Sequence, residues 1–163
     1  MAKGGKRNCR GFTLVEMLCA IVVLILISGI MATGVGLGVK TLRKSLVNSE
    51  SQVLCATLRT AVSDELRYAG TTTVSTTGVT FFSQNYGEYA AYGVNDDGQV
   101  TLKGEKIIPS KSYPHGIKGE VDIISYDDQT GIFSVEVTVT DDDGSLLSET
   151  DFQVERLNFV AES

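Results

Sequence analysis

The sequence predicts an α+β protein. One long N-terminal α-helix, membrane-spanning in its first half and amphipathic in its second, packs on a small antiparallel β-sheet. Three observations carry this. Residues 17–39 are 23 consecutive residues without a charge, and at about 1.5 Å of rise per residue some 20 residues cross the hydrocarbon core of a bilayer. Apolar residues then recur at three- and four-residue spacings to residue 66. After Gly70 the spacing changes to two.

Charge along the 163-residue chain is polarised. The first eleven residues hold four bases (Lys3, Lys6, Arg7, Arg10) and no acid, whereas residues 120–163 hold twelve Asp or Glu and a single Arg. A basic head, an apolar segment and an acidic body is the polarity of a membrane-targeted chain whose bulk is exported. The body lacks a basic stripe to neutralise phosphates, so no nucleic-acid partner is expected.

The uncharged run is longer than the roughly 7–15 apolar residues of a secretory signal. Gly29, Gly34, Gly36 and Gly38 would each cost a helix in water about 1 kcal/mol, but they permit close backbone approach in a membrane or a tight bundle. Beyond it, Leu42, Leu46, Val53, Leu54, Leu58, Ala61, Val62 and Leu66 form the apolar stripe of an amphipathic helix, with Lys40, Arg43, Lys44, Glu50, Arg59, Asp64 and Arg67 largely on other faces. The helix is expected from about Phe12 to Tyr68, stopped by Gly70.

Strands are expected over residues 71–75, 79–82, 89–94, 99–102, 120–126, 132–140 and 146–159. Asn95-Asp96-Asp97-Gly98, the run from Asp127 to Gly131, and Asp141-Asp142-Asp143-Gly144 supply turns. Phe133, Val135, Val137 and Val139 alternate with Ser134, Glu136, Thr138 and Thr140. That is a meander with one dry and one wet face. The helix stripe needs a partner and the dry face needs a cover, so the helix is expected across the sheet.

Candidate chemistry is sparse. The three Cys stand at 9, 19 and 55, so no disulfide staples the body and no C-x-x-C offers a zinc or redox site. The one His, His115, sits in a Tyr-Pro-His-Gly loop, and no phosphate-binding glycine loop is present. The three consecutive Asp at 141–143 offer calcium its oxygen ligands, but calcium ligands alternate in sequence, so a solvated turn is the favoured reading and calcium binding stays open. Tyr86, Tyr89 and Tyr92 could offer a surface to partners, but tyrosines in strands are ordinary. No catalytic residue, metal or cofactor is expected.

At the junction of basic head and apolar run stands Arg10-Gly11-Phe12-Thr13-Leu14-Val15-Glu16-Met17-Leu18. This resembles the processing and methylation signal of type IV prepilins and type II secretion pseudopilins: a short basic leader ending in Gly, then Phe, Thr, Leu, a hydrophobic residue and Glu, then about twenty apolar residues. The resemblance implies a leader over 1–11, a transmembrane and assembly segment over 12–39, and a globular pilin-like domain over 40–163. It implies cleavage after Gly11 by a prepilin peptidase and N-methylation of Phe12 by the same enzyme. Glu16 would attract the N-terminal ammonium of a neighbouring subunit during assembly. Two departures leave the branch open: Thr33 stands near the place where many major pilins carry Pro, and the C-terminal disulfide loop of many pilins is missing.

The function so implied is that of a non-enzymatic structural subunit. It is held in the cell membrane with its leader cytoplasmic and its C-terminal domain outside, then packed into a helical filament. Its partners would be the peptidase, other pilin or pseudopilin subunits, an inner-membrane assembly platform and, before assembly, the lipid bilayer. A surface pilus, a secretion pseudopilus and a DNA-uptake pilus remain open. The rival is a single-pass anchored binding domain that never polymerises, which has no need of Gly11, Phe12 and Glu16.

Overall fold

The computed structural model describes residues 13–75 and 78–157. The chain forms α1 (Leu14–Arg67), then β1 (Thr72–Ser75), β2 (Gly78–Ser83), β3 (Glu88–Ala90), β4 (Tyr92–Val94), β5 (Val100–Leu102), β6 (Glu105–Lys106), β7 (Lys118–Asp127), β8 (Ile132–Thr140) and β9 (Leu146–Glu155). This is the expected α+β class. Two compact units emerge, Met1–Lys44 and Ser45–Ser163. In the first, every described residue is exposed and all but Thr13 are helical.

In the second unit α1 buries Ser51, Leu54, Cys55, Leu58, Val62 and Leu66. Three-, four- and seven-residue spacings place these on one face. The stripe is narrower than expected. Leu42, Leu46 and Val53 are 65%, 53% and 64% exposed, and Ser51 takes a place that apolarity alone would not assign, whereas Cys55 beside the stripe is a buried thiol. Ser51 is tolerated because its hydroxyl donates to Asn48 O at 2.8 Å, and the Cys55 thiol lies 3.8 Å from Val137 O. Burial pushes that thiol up from its ordinary value, against smaller lowering contributions from Ser148 and Arg59.

The strands form three antiparallel sheets, β1-β2-β3, β4-β5-β6 and β7-β8-β9, where the sequence suggested one. The strand expected over 89–94 is divided at Ala91: Tyr89 pairs with Phe82, but Tyr92 pairs with Leu102. A second break follows β6, where Pro109 and Pro114 lack the N–H a ladder needs and two 3-10 turns, Ser110–Ser112 and Pro114–Gly116, replace it. The third sheet behaves as its alternation predicts. Phe133, Val135, Val137 and Val139 are buried, and β8 is flanked along its length by β7 and β9.

The core joins this inner face to α1. Phe81 meets Phe133 edge-on at 6.3 Å, and Tyr126 lies 4.6 Å from Phe133 between centroids. At Gly119 of β7 the backbone runs so close to the helix that a Cβ would fall 2.9 Å from Leu58 Cδ1 and 3.3 Å from Tyr113 Cε1. The Tyr113 hydroxyl accepts the Val100 N–H at 3.0 Å, so a buried strand end stays satisfied. The residues just after β9 close the C-terminal end of α1: Leu157 N donates to Arg67 O at 2.9 Å, and Arg156 Nε to Ala69 O, two residues past the helix, at 3.1 Å. These contacts satisfy carbonyls that a helix end leaves open.

Candidate functional site

The N-terminal segment is built from its first turn. Thr13 Oγ1 accepts the Glu16 N–H at 3.3 Å, and Thr13 O accepts the N–H groups of Glu16 and Met17 at 3.1 and 3.2 Å. Thr13 is therefore the N-cap of α1 and Glu16 its third helical residue. Thr-x-x-Glu is the spacing of a capping box, a local signal the sequence reading passed over. It places the Glu16 carboxylate at the positive end of the helix dipole. Glu16 is exposed, and no ion pair to it is found among the described residues. Gly11 and Phe12, the expected processing residues, lie outside the described residues, as does Cys9.

The segment that follows is fitted to an apolar surrounding in two ways. Its large side chains from Leu14 to Val39 are exposed. Its hydroxyls are turned inward: Ser28 Oγ donates to Leu24 O at 2.8 Å, Thr33 Oγ1 to Ile30 O at 2.9 Å, and Thr41 Oγ1 to Leu37 O at 3.0 Å. A helix that satisfies its own polar groups can lie in lipid or against other helices. Gly29, Gly34, Gly36 and Gly38 have nothing among the described residues within 4 Å of where a Cβ would stand. α1 is long and apolar enough to cross a membrane near its N-terminus.

The polar turns do local work. Asp141 Oδ1 accepts the Asp143 and Ser145 N–H groups at 3.0 and 2.8 Å, and Gly144 takes φ 81°. Asp127 likewise accepts from Gln129 N at 2.9 Å and Thr130 Oγ1 at 2.7 Å. The Thr130 bond first, then the backbone bonds, hold its carboxyl below the usual range. His115 adopts φ 57°, with its Nε2 3.6 Å from Glu50 Oε2 on α1.

Among the described residues, a group of carboxylates lies on the outer face of the third sheet, where sequence reasoning saw only alternation. Asp122, Glu136 and Asp151 fall in one cross-strand row, with Glu149 beside them. Carboxylate oxygens of Glu136, Glu149 and Asp151 come within 4.8 Å of one another. A hydrogen bond shared with Glu149, then slight desolvation and the charges of Glu149, Asp151 and Asp122, push Glu136 above its ordinary value.

Comparison with known protein families matches residues 6–35 to the prokaryotic N-terminal methylation motif, the prepilin-type cleavage and methylation signal. No curated protein and no solved structure matches the chain significantly. The match covers Gly11, Phe12 and Glu16 together with most of the uncharged run. With the long apolar helix and the small antiparallel sheets, this signal fits a pilin-like α+β chain with a membrane anchor near its N-terminus.

Proposed function

We propose that the chain is a non-enzymatic subunit of a type IV pilus-type filament. It is made as a membrane-anchored precursor with the leader cytoplasmic and the body outside. A prepilin peptidase cuts it after Gly11 and methylates Phe12. The assembly platform then draws it from the bilayer into contact with other pilin or pseudopilin subunits. The observation that carries this reading is Glu16: one carboxylate, unpaired by any described residue, at the start of an exposed apolar segment and inside the matched motif. Carrying a charge into hydrocarbon costs about 2.5–3.5 kcal/mol on insertion scales. The N-methylated ammonium of a neighbouring Phe12 would offset that cost in a water-free bundle, where attraction between charges is strong. The four glycines of this segment would let such helices approach closely.

Intact-mass measurement on native protein, combined with shearing of cells, tests this. The expected result is a chain beginning at methylated Phe12 and recovered in the sheared filament fraction. Recovery only in membranes, starting at Met1, would overturn it.

A further inference from the structure

Beside the buried face of α1 lies a polar cleft of the body, lined by Asp64 and Glu65 of the helix, Asn85 and Tyr86 of the β2–β3 turn, Tyr92 of β4, and Lys106. Its floor holds an unusual group. The Tyr92 hydroxyl is buried and has no hydrogen-bond partner, although its ring is fixed 5.7 Å from that of Phe81. Buried hydroxyls are nearly always paired, and one that is not calls for an explanation. Burial, and after it the charge of Glu65, push this phenol well above the usual tyrosine range, so it stays protonated and near a carboxylate.

The surrounding charges decide what would pair with it. Glu65 is held in place, accepting from Ser83 Oγ and, at 2.5 Å, from Asn85 Nδ2. A carboxylate has about four lone-pair sites, so acceptor capacity remains on both oxygens. Asp64 adds a second negative charge, and Glu105 a third beside Tyr86. The one cation of the lining, Lys106, directs its Nζ to Ser110 Oγ at 2.9 Å. Carboxylates thus outnumber cations around two phenol rings, which favours a positive ligand over a neutral sugar or an anion.

The geometry points to a binding site for a primary ammonium group in this cleft, held by the Glu65 carboxylate and the Tyr92 oxygen with the Tyr86 ring beside it. Such a group comes either from a free aliphatic amine or from a lysine side chain of a partner protein. The site belongs to the body, so its test is independent of filament assembly.

The full chain in uncharged detergent micelles is titrated with n-butylammonium, with the peptide acetyl-Gly-Lys-Gly-amide and with glucose, following the amide resonances of Asn85, Tyr86 and Tyr92. Saturable shifts with butylammonium show that a free amine suffices; shifts with the peptide alone assign the site to lysine side chains. Either supports the site. Tyr92→Phe keeps the ring and removes the hydroxyl, and Glu65→Gln keeps the shape and removes the charge. Each should weaken binding about tenfold or more. Saturation by glucose alone, no saturation by either amine, or unchanged affinity in both variants would overturn the site.

Discussion

The Thr13 hydroxyl accepts the Glu16 amide N–H at 3.3 Å, so the residue expected to recruit a neighbouring subunit is also the third residue of a capped helix. The two roles separate by substitution. Glu16→Ala removes charge and carboxyl together; Glu16→Gln removes the charge but keeps a group that suits this capping position. If pairing with an ammonium is the role, both variants insert and are cleaved normally, and both are depleted from sheared filaments relative to membranes. Wild-type incorporation of Glu16→Gln would assign the residue to capping instead. Thr13→Ala should cost the helix start about 1 kcal/mol and leave the charge requirement untouched.

The difference between the expected and observed helix stripes gives a second test. Leu58 is fully buried and Leu46 is 53% exposed on the same helix. Leu58→Ala should destabilise the body by about 2–5 kcal/mol through lost transfer energy and a cavity. Leu46→Ala should stay within about 0.5 kcal/mol. Denaturant unfolding followed by circular dichroism in micelles checks both. Equal costs would mean that Leu46 is covered in the folded chain.

Gly119 tests the closeness of helix and sheet. A methyl group there would stand 2.9 Å from Leu58 Cδ1. Gly119→Ala should therefore cost about 1–3 kcal/mol by overpacking. The penalty should shrink when Leu58→Ala is present, because the two changes share one volume. Additive costs in the double variant would show that the methyl group is resisted by the strand and not by Leu58.

The sequence made the periodic features legible. The buried residues of β8 are those its alternation names, and the motif around Gly11 and Glu16 stands in the residues themselves. What it concealed depends on contacts distant in the chain. Nothing near Leu46 or Val53 shows that the sheets leave these two residues uncovered. Nothing at Ala91 marks a strand changing partners, because the choice between Phe82 and Leu102 as neighbours is made by tertiary packing. The row of Asp122, Glu136 and Asp151 becomes visible only with cross-strand register, and the unpaired Tyr92 hydroxyl only with a packed core. Thr13 is different. Its capping spacing was present in the sequence and was masked by the motif it shares.

The acidic row makes the body's stability depend on pH, in a direction that can be worked out. Glu136 shares a hydrogen bond with Glu149 and faces the charges of Glu149, Asp151 and Asp122, so its folded-state pKa is raised. A carboxyl whose pKa is higher folded than unfolded binds more protons in the folded chain. Stability then falls as pH rises from the ordinary Glu value through the raised one. The bond to Glu149 and the charges of Glu149, Asp151 and Asp122 all favour the protonated form of Glu136, so ionising it costs more in the folded chain than in the unfolded one. Glu136→Gln should therefore raise the melting temperature at pH 7. Its advantage should shrink on adding salt, which screens exposed charges, and should vanish below about pH 4, where an ordinary Glu is itself protonated. Thermal unfolding of wild type and variant, at pH 4 and 7 and at low and high salt, reads all three effects. An identical melting temperature for the two chains at pH 7 and low salt would show that these exposed side chains swing apart and relieve the crowding.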